Sequence, residues 1–145
     1  MEIINKDILT VDKGIICHQV NCQGVMGSGL ALQIKKKWPE VYDGYRFVCN
    51  AGPIQVLGKV YPHKVGDELF VMNLFGQESF GRDKVHTDYK ALESAMMEVA
   101  AFNEELNLSV YIPYRIGCGL GGGNWHVVTG IIEKIFPNAI ICKLS

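Results

Sequence analysis

Apolar positions along this chain change spacing several times, and each change marks an element. Residues 15–20 form an apolar run short enough for a strand and apolar enough to lie inside a sheet covered on both faces. Beyond a glycine-rich stretch, Leu30, Ala31, Ile34 and Trp38 fall on one side of a helix predicted over 29–37. Pro39 breaks that pattern and starts a second helix, 39–49, with Val41, Tyr42, Tyr45 and Val48 inward; residues 50–53 end it. Segments 58–65 and 68–75 read as strands joined by a hairpin at Gly66-Asp67. Segment 88–106 is the clearest helix, with Leu92, Ala95, Met96, Val99, Phe102 and Leu106 on its apolar face. A strand at 109–116, a helix at 125–136 stopped by Pro137, and a strand at 139–144 complete the pattern. A short first strand, 2–4, leads into a turn in which Asp7 accepts hydrogen bonds or caps.

Strands alternating with helices predict an α/β fold, a three-layer α/β/α sandwich around a central mixed sheet. No composition shift, repeat or low-complexity stretch divides the chain, so residues 1–145 are expected to form a single domain. A net charge of −1 gives no general pull toward nucleic acid or membrane. The run Lys35-Lys36-Lys37 reads as a solvated helix face. No apolar run approaches the roughly 20 residues of a membrane span, and the first residues lack a signal-peptide pattern, so a cytoplasmic monomer is expected. The 5 cysteines include no CxxC pair and read as reduced, mostly buried thiols. Strand alternation points Cys17 and His18 to opposite faces, which argues against a zinc site with Cys22; no metal and no cofactor is expected.

The chemistry concentrates in two loops. Each follows a buried strand, is rich in glycine and precedes a helix: Asn21 to Ala31, and Gly117 to Asn124. Such loops let backbone N–H groups approach an anion, and the helix start adds its positive dipole end. Two in one small domain point to a ligand with two linked phosphates. Gly117-x-Gly119-x-x-Gly122 matches a dinucleotide fingerprint literally, but too few elements remain after it and no acidic residue follows for a ribose. Gly24-x-x-x-x-Gly29 is followed by Leu30-Ala31 and so lacks the lysine and hydroxyl of a phosphate-binding loop that holds magnesium.

The stretch from His18 to Ala31, followed by Lys37-Trp38-Pro39, resembles the first signature of macrodomains, and Ile112 to Trp125 resembles the second. The branch resembled comprises ADP-ribose 1″-phosphate phosphatases and single-domain ADP-ribosyl hydrolases. The resemblance implies a three-layer domain whose ligand is ADP-ribose or ADP-ribose 1″-phosphate, with ADP-ribosylated protein or nucleic acid as alternative partners. It implies that Asp7 accepts from the adenine amino group with Ile8 beside it. It implies that Asn21, following Val20, holds the distal ribose. Val25, Met26, Gly27, Ser28, Gly29, Leu30 and Ala31 would wrap one phosphate region. Ile116, Gly117, Cys118, Gly119, Leu120, Gly121 and Gly122 would wrap the other. Some hydrolases of this branch use an aspartate where this chain has Gly121 and a lysine near the place of Gln77; Lys84 is the nearest alternative lysine. His18 and the Asn73-Leu74-Phe75 stretch instead resemble the phosphatase members. The expectation is hydrolysis of ADP-ribose 1″-phosphate, with His18, near an ordinary pKa of about 6.5, and Asn21 acting on water, aided by Asn73 and Gln77. Removal of ADP-ribose from macromolecules and binding without turnover are the alternatives. His63, His86 and His126 read as surface or helix residues, and Asp83 and Asp88 as loop and capping residues.

Overall fold

The second strand is apolar on both faces because both faces are covered. In the computed structural model, which describes residues 1–144, Ile15 and Cys17 pack into a cluster with Leu92, Met96, Val128 and Ile132. On the other face Val20 packs with Ile34, Val41, Tyr45 and Phe75. The chain runs β1 (Glu2–Asn5), a 3-10 turn (Ile8–Thr10), β2 (Gly14–Val20), α1 (Gly29–Lys37), α2 (Pro39–Cys49), α3 (Pro53–Val56), β3 (Val60–Gly66), β4 (Leu69–Phe75), α4 (Tyr89–Leu106), β5 (Val110–Pro113), α5 (Trp125–Ile135) and β6 (Ile140–Lys143). The strands form a 6-stranded sheet in the order β1-β6-β5-β2-β4-β3. All neighbours are parallel except the β3–β4 hairpin at one edge. Helices α4 and α5 cover one face and α1 and α2 the other, the mixed-sheet sandwich that the alternation predicts.

Several boundaries differ from the pattern. β5 stops at Pro113 instead of running to 116, because Arg115 (φ 62°) and Gly117 (φ 74°) leave the extended region. β3 starts at Val60, after Gly58 has turned the chain at φ 83°. A helical turn, α3, follows Gly52 with Pro53 at its first position and buries Val56; the local Gly-Pro pair hid it. Along α4 the four positions Leu92, Ala95, Met96 and Val99 are buried, but Phe102 and Leu106 are exposed at 38% and 44%. Phe102 still meets Phe70 edge to face, with ring centroids 5.3 Å apart.

β2 and β5 are adjacent and parallel, yet the chain leaves β2 for α1 on one face and β5 for α5 on the other. Where neighbouring parallel strands part this way, a crevice opens at their carboxyl ends. Both glycine loops start there.

Candidate active site

A cleft of about 530 Å³ occupies that crevice. β2 contributes His18 to Asn21 and the following loop to Ala31; β5 contributes the stretch from Pro113 to Gly121; β4 contributes Gln77 and, beyond it, Phe80, Gly81 and Arg82. No aspartate or glutamate lines it, and its only formal charges are Arg82 and Arg115. Neither arginine makes an ion pair among the described residues.

Asn21 shapes the first loop. Its Oδ1 accepts from the backbone N–H of Gln23 (2.9 Å) and Val25 (3.4 Å) and lies 2.8 Å from the Tyr45 hydroxyl, while Nδ2 donates to the Val25 carbonyl (2.8 Å). One Nδ2 hydrogen is left for a ligand. The turn at Gly24 (φ 79°) and Gly29 (φ 58°) then leads into α1, whose Ser28 cap position makes no side-chain cap bond. From Met26 to Ala31 no backbone N–H has an acceptor among the described residues. That row of donors at the start of a nine-residue helix has the geometry to cradle an anion.

The second loop closes on itself through Cys118 N–H to Arg115, Gly122 N–H to Gly119 and Gly123 N–H to Gly117 carbonyls. The N–H groups of Gly119, Leu120 and Gly121 remain without acceptors among the described residues. The helix after it plays no part, contrary to the expectation that both helix starts face the ligand. Asn124 caps α5 by accepting from His126 and Val127 N–H, and no residue of α5 lines the cleft.

A polar network behind the cleft wall ties the loops together. Gln19 Nε2 donates to Gln77 Oε1 (2.7 Å) and Thr87 Oγ1 (2.9 Å), and Thr87 Oγ1 donates to the Gly117 carbonyl (2.6 Å). The Gly121 carbonyl accepts from His86 and Thr87 N–H. A Cβ at Gly121 would lie 2.5 Å from Thr87 Oγ1 and 2.9 Å from the Gly117 carbonyl. The network therefore fills the space an aspartate would need there, and it also engages the amide of Gln77.

His18 and Asn73 are register neighbours on β2 and β4 and face the same way. Asn73 Nδ2 donates to the Tyr61 carbonyl (2.9 Å), which turns its Oδ1 toward His18 Nε2 at 2.6 Å. This assigns the proton to Nε2 and leaves Nδ1 as a buried acceptor with no partner. His18 is 2% exposed. Burial, only partly offset by the bond to Asn73, lowers its pKa to about 4. The expectation of a histidine near its ordinary pKa is thus corrected: the imidazole is neutral at pH 7 and acts there as a hydrogen-bonding group. Thiolate chemistry is equally remote, since burial pushes Cys22 up to about 12.

The structure brings His18, Val20, Asn21, Val25, Gly27 to Ala31, Gln77, Ile116, Gly117, Gly119, Leu120 and Gly121 to the cleft. Asn73 stands behind His18, fully buried. Met26 and Cys118 point into the core, and Gly122 lies outside the lining. Asp7 and Ile8 are not part of it either: Asp7 caps the Ile8–Thr10 turn by accepting from Leu9 N–H (3.0 Å), and Ile8 is buried. Lys84 is exposed and does not line the cleft. Gln19, Phe80, Arg82, Tyr114 and Arg115 line it without having been singled out, and Thr87 supports it. Among the described residues no three His, Cys, Asp or Glu side chains are grouped as a metal site would need, and no helix is long and apolar enough to cross a membrane.

No family model matches the chain. It is 33% identical to an uncharacterised 17.5 kDa protein of Enterobacteria phage T4, over 81% of this chain and 77% of that one. It is 28% identical to the DNA ADP-ribosyl glycohydrolase of Mycobacterium tuberculosis over 90% of its own length, but spans only 37% of that relative. An ADP-ribose 1″-phosphate phosphatase of Meyerozyma guilliermondii is 27% identical over 83% of both chains. Among solved structures, a Bacteroides thetaiotaomicron protein of unknown function superposes with a TM-score of 0.87 at 31% identity, over 99% of this chain and 97% of that one. A Streptomyces coelicolor macrodomain superposes with a TM-score of 0.81 at 26% identity, over 99% and 98%.

Two consequences are measurable in stability. Gly121→Ala should cost about 1–3 kcal/mol in urea unfolding, by driving a methyl into Thr87 and Gly117, whereas Gly119→Ala, with open space around it, should stay within about 0.5 kcal/mol. Equal effects would contradict the packing described. For His18, the unfolded chain binds a proton more readily than the native one between pH 6.5 and about 4. Stability therefore falls as pH drops through that window and is fully present above it, by roughly 3 kcal/mol in all. Between pH 7.5 and 4 the unfolding midpoint of wild type should fall more steeply than that of His18→Gln, which lacks the titrating group; parallel curves would contradict the buried neutral imidazole.

Proposed function

The chain belongs to the macrodomain family, and we propose that it hydrolyses ADP-ribose 1″-phosphate to ADP-ribose and phosphate in this cleft. The observation that carries the reading is the cleft's lining: unpaired backbone N–H groups on two loops, two free guanidiniums and no carboxylate. Such a lining suits a ligand with a pyrophosphate and a further phosphate, and it repels nothing on that ligand. The relative named ADP-ribose 1″-phosphate phosphatase supports the same reading over most of both chains.

In the proposed step, a water oxygen bonds to the distal phosphorus as the bond from phosphorus to the ribose 1″ oxygen breaks. That oxygen keeps the electron pair and takes up a proton, and water loses one. Phosphoryl transfer of this kind asks the protein chiefly for positioning and charge stabilisation. Asn21 offers its remaining N–H to the distal ribose. His18, neutral and held by Asn73, borders this end of the cleft; its unpaired Nδ1 is buried and accepts from the attacking water only if the side chains over it give way. Gln77, held by Gln19, borders the same end of the cleft. Asn73 is a positioning residue, since it acts through the imidazole.

A second reading is removal of ADP-ribose from a macromolecule, favoured by the relatives named DNA ADP-ribosyl glycohydrolases. The lysine and aspartate that some hydrolases use are replaced by Gln77 and a Gly121 with no room for a side chain, so such an activity would need a water held directly by the bound pyrophosphate.

Purified protein given ADP-ribose 1″-phosphate should release phosphate, and any change of rate between pH 6 and 8 should be the same in His18→Gln as in wild type, because His18 does not titrate there. His18→Ala should lose at least about tenfold in kcat while binding ADP-ribose as wild type does by calorimetry. Unchanged turnover would remove His18 from the reaction. No phosphate release, with ADP-ribose freed from a modified protein or DNA, would move the assignment to the second reading. Tight ADP-ribose binding with neither activity would leave a binding module.

A further inference from the structure

Between β4 and α4 the chain makes an arch, residues 78–86, whose feet are joined by a bridge between Gln77 and Thr87. The arch touches both glycine loops. The Glu78 carbonyl accepts from Cys22 N–H (3.0 Å) and Gln23 Nε2 (3.1 Å) of the first. At the other foot His86 N–H donates to the Gly121 carbonyl (2.9 Å), and Val85 packs against Gly122. Arg82, near the apex, lines the cleft.

Its neighbouring carboxylate is kept from neutralising it. Asp83 Oδ1 accepts from His86 Nε2 at 2.9 Å, and the built Cβ of Gly81 (φ 137°) would meet that same oxygen at 2.8 Å. Asp83 is thus folded back along the arch toward His86. With no acid lining the cleft, Arg82 has no protein anion to answer. The other guanidinium, Arg115, rises with the second loop, beside the backbone donors of Gly119 to Gly121. The cleft therefore offers two cationic positions on separate walls, one beside a backbone cradle and one on the arch that springs from Gln77.

The backbone donors of the two loops are suited to a diphosphate, and Arg82, carried by the arch and by neither loop, is a further cation of the cleft. A phosphate on a distal ribose held at the Gln77 and His18 end of the same cleft would give it a bidentate partner. We propose that Arg82 reads the distal phosphate and makes the cleft prefer ADP-ribose 1″-phosphate over ADP-ribose. This rests on the phosphatase reading above. Arg82 is then a specificity-determining residue: it holds the phosphate that is present in the substrate and absent from the nucleotide product. Phosphate departure removes its partner and weakens the hold on ADP-ribose.

The test compares wild type, Arg82→Gln, Arg82→Lys and Arg115→Gln. Two quantities are read for each: steady-state phosphate release from ADP-ribose 1″-phosphate, and calorimetric affinity for ADP-ribose. Arg82→Gln should raise KM for the phosphorylated substrate about tenfold or more, the effect of one lost charge-assisted contact, and leave the ADP-ribose Kd within about twofold. It should also weaken product inhibition by inorganic phosphate. Arg82→Lys should recover part of the loss, since charge returns without the bidentate fork. Arg115→Gln should weaken both ligands together. Wild-type turnover with an unaltered KM in Arg82→Gln overturns the inference and leaves the phosphatase reading standing. Equal loss of ADP-ribose affinity in Arg82→Gln also overturns it, because the arginine would then serve the shared part of the ligand. Absence of phosphate release by wild type overturns both.

Discussion

The structure depends on one topological constraint. β2 and β5 lie side by side and parallel, and their following helices go to opposite faces of the sheet. Two loops must then leave the same crevice in opposite directions. The backbone donors at their turns have no neighbouring strand or helix turn to bond, from Met26 to Ala31 in one loop and from Gly119 to Gly121 in the other. Unsatisfied N–H groups at a protein surface are costly unless water or a ligand answers them. A ligand with linked anionic groups answers both rows at once.

What distinguishes this chain within that frame is the wall behind the cleft. Gln19, Gln77 and Thr87 form one hydrogen-bonded unit that reaches the Gly117 carbonyl. The same unit excludes a side chain at Gly121 and engages residue 77 as a neutral amide. The two departures from the lysine-and-aspartate arrangement are therefore one structural choice: neither position can change alone without breaking the network. A neutral cleft wall with arginines on its rim suits the proposed reaction, which asks mainly for binding and orientation, and a His18 lowered to about 4 fits that proposal.

Much of this was legible in the sequence because it is local. Strand and helix periods gave every strand and the four long helices, and glycine at Gly24, Gly29 and Gly117 marked turns that need positive φ. The residues that escaped are set by distant partners. His18 looks like an ordinary histidine until Asn73 and Tyr61, on two other strands, close over it. Thr87 precedes a helix and carries no signal of its bond to Gly117, 30 residues away. Asp7, which the family resemblance assigns to the adenine, also caps a turn locally, its Oδ1 accepting from Leu9 N–H. Arg82 sat in a polar loop without periodicity; the hint was a cation next to a glycine in a segment bracketed by two glycine loops, and sequence alone could not place it at the cleft.

The central claim, that both loops hold one diphosphate ligand through their backbone, is tested most directly by following amide resonances of the labelled protein during an ADP-ribose titration. The account predicts that the amides of Gly27 to Ala31 and of Gly119 to Gly121 move together, with a single binding constant, as their protons gain acceptors. Movement of one loop alone, or of neither, would contradict it.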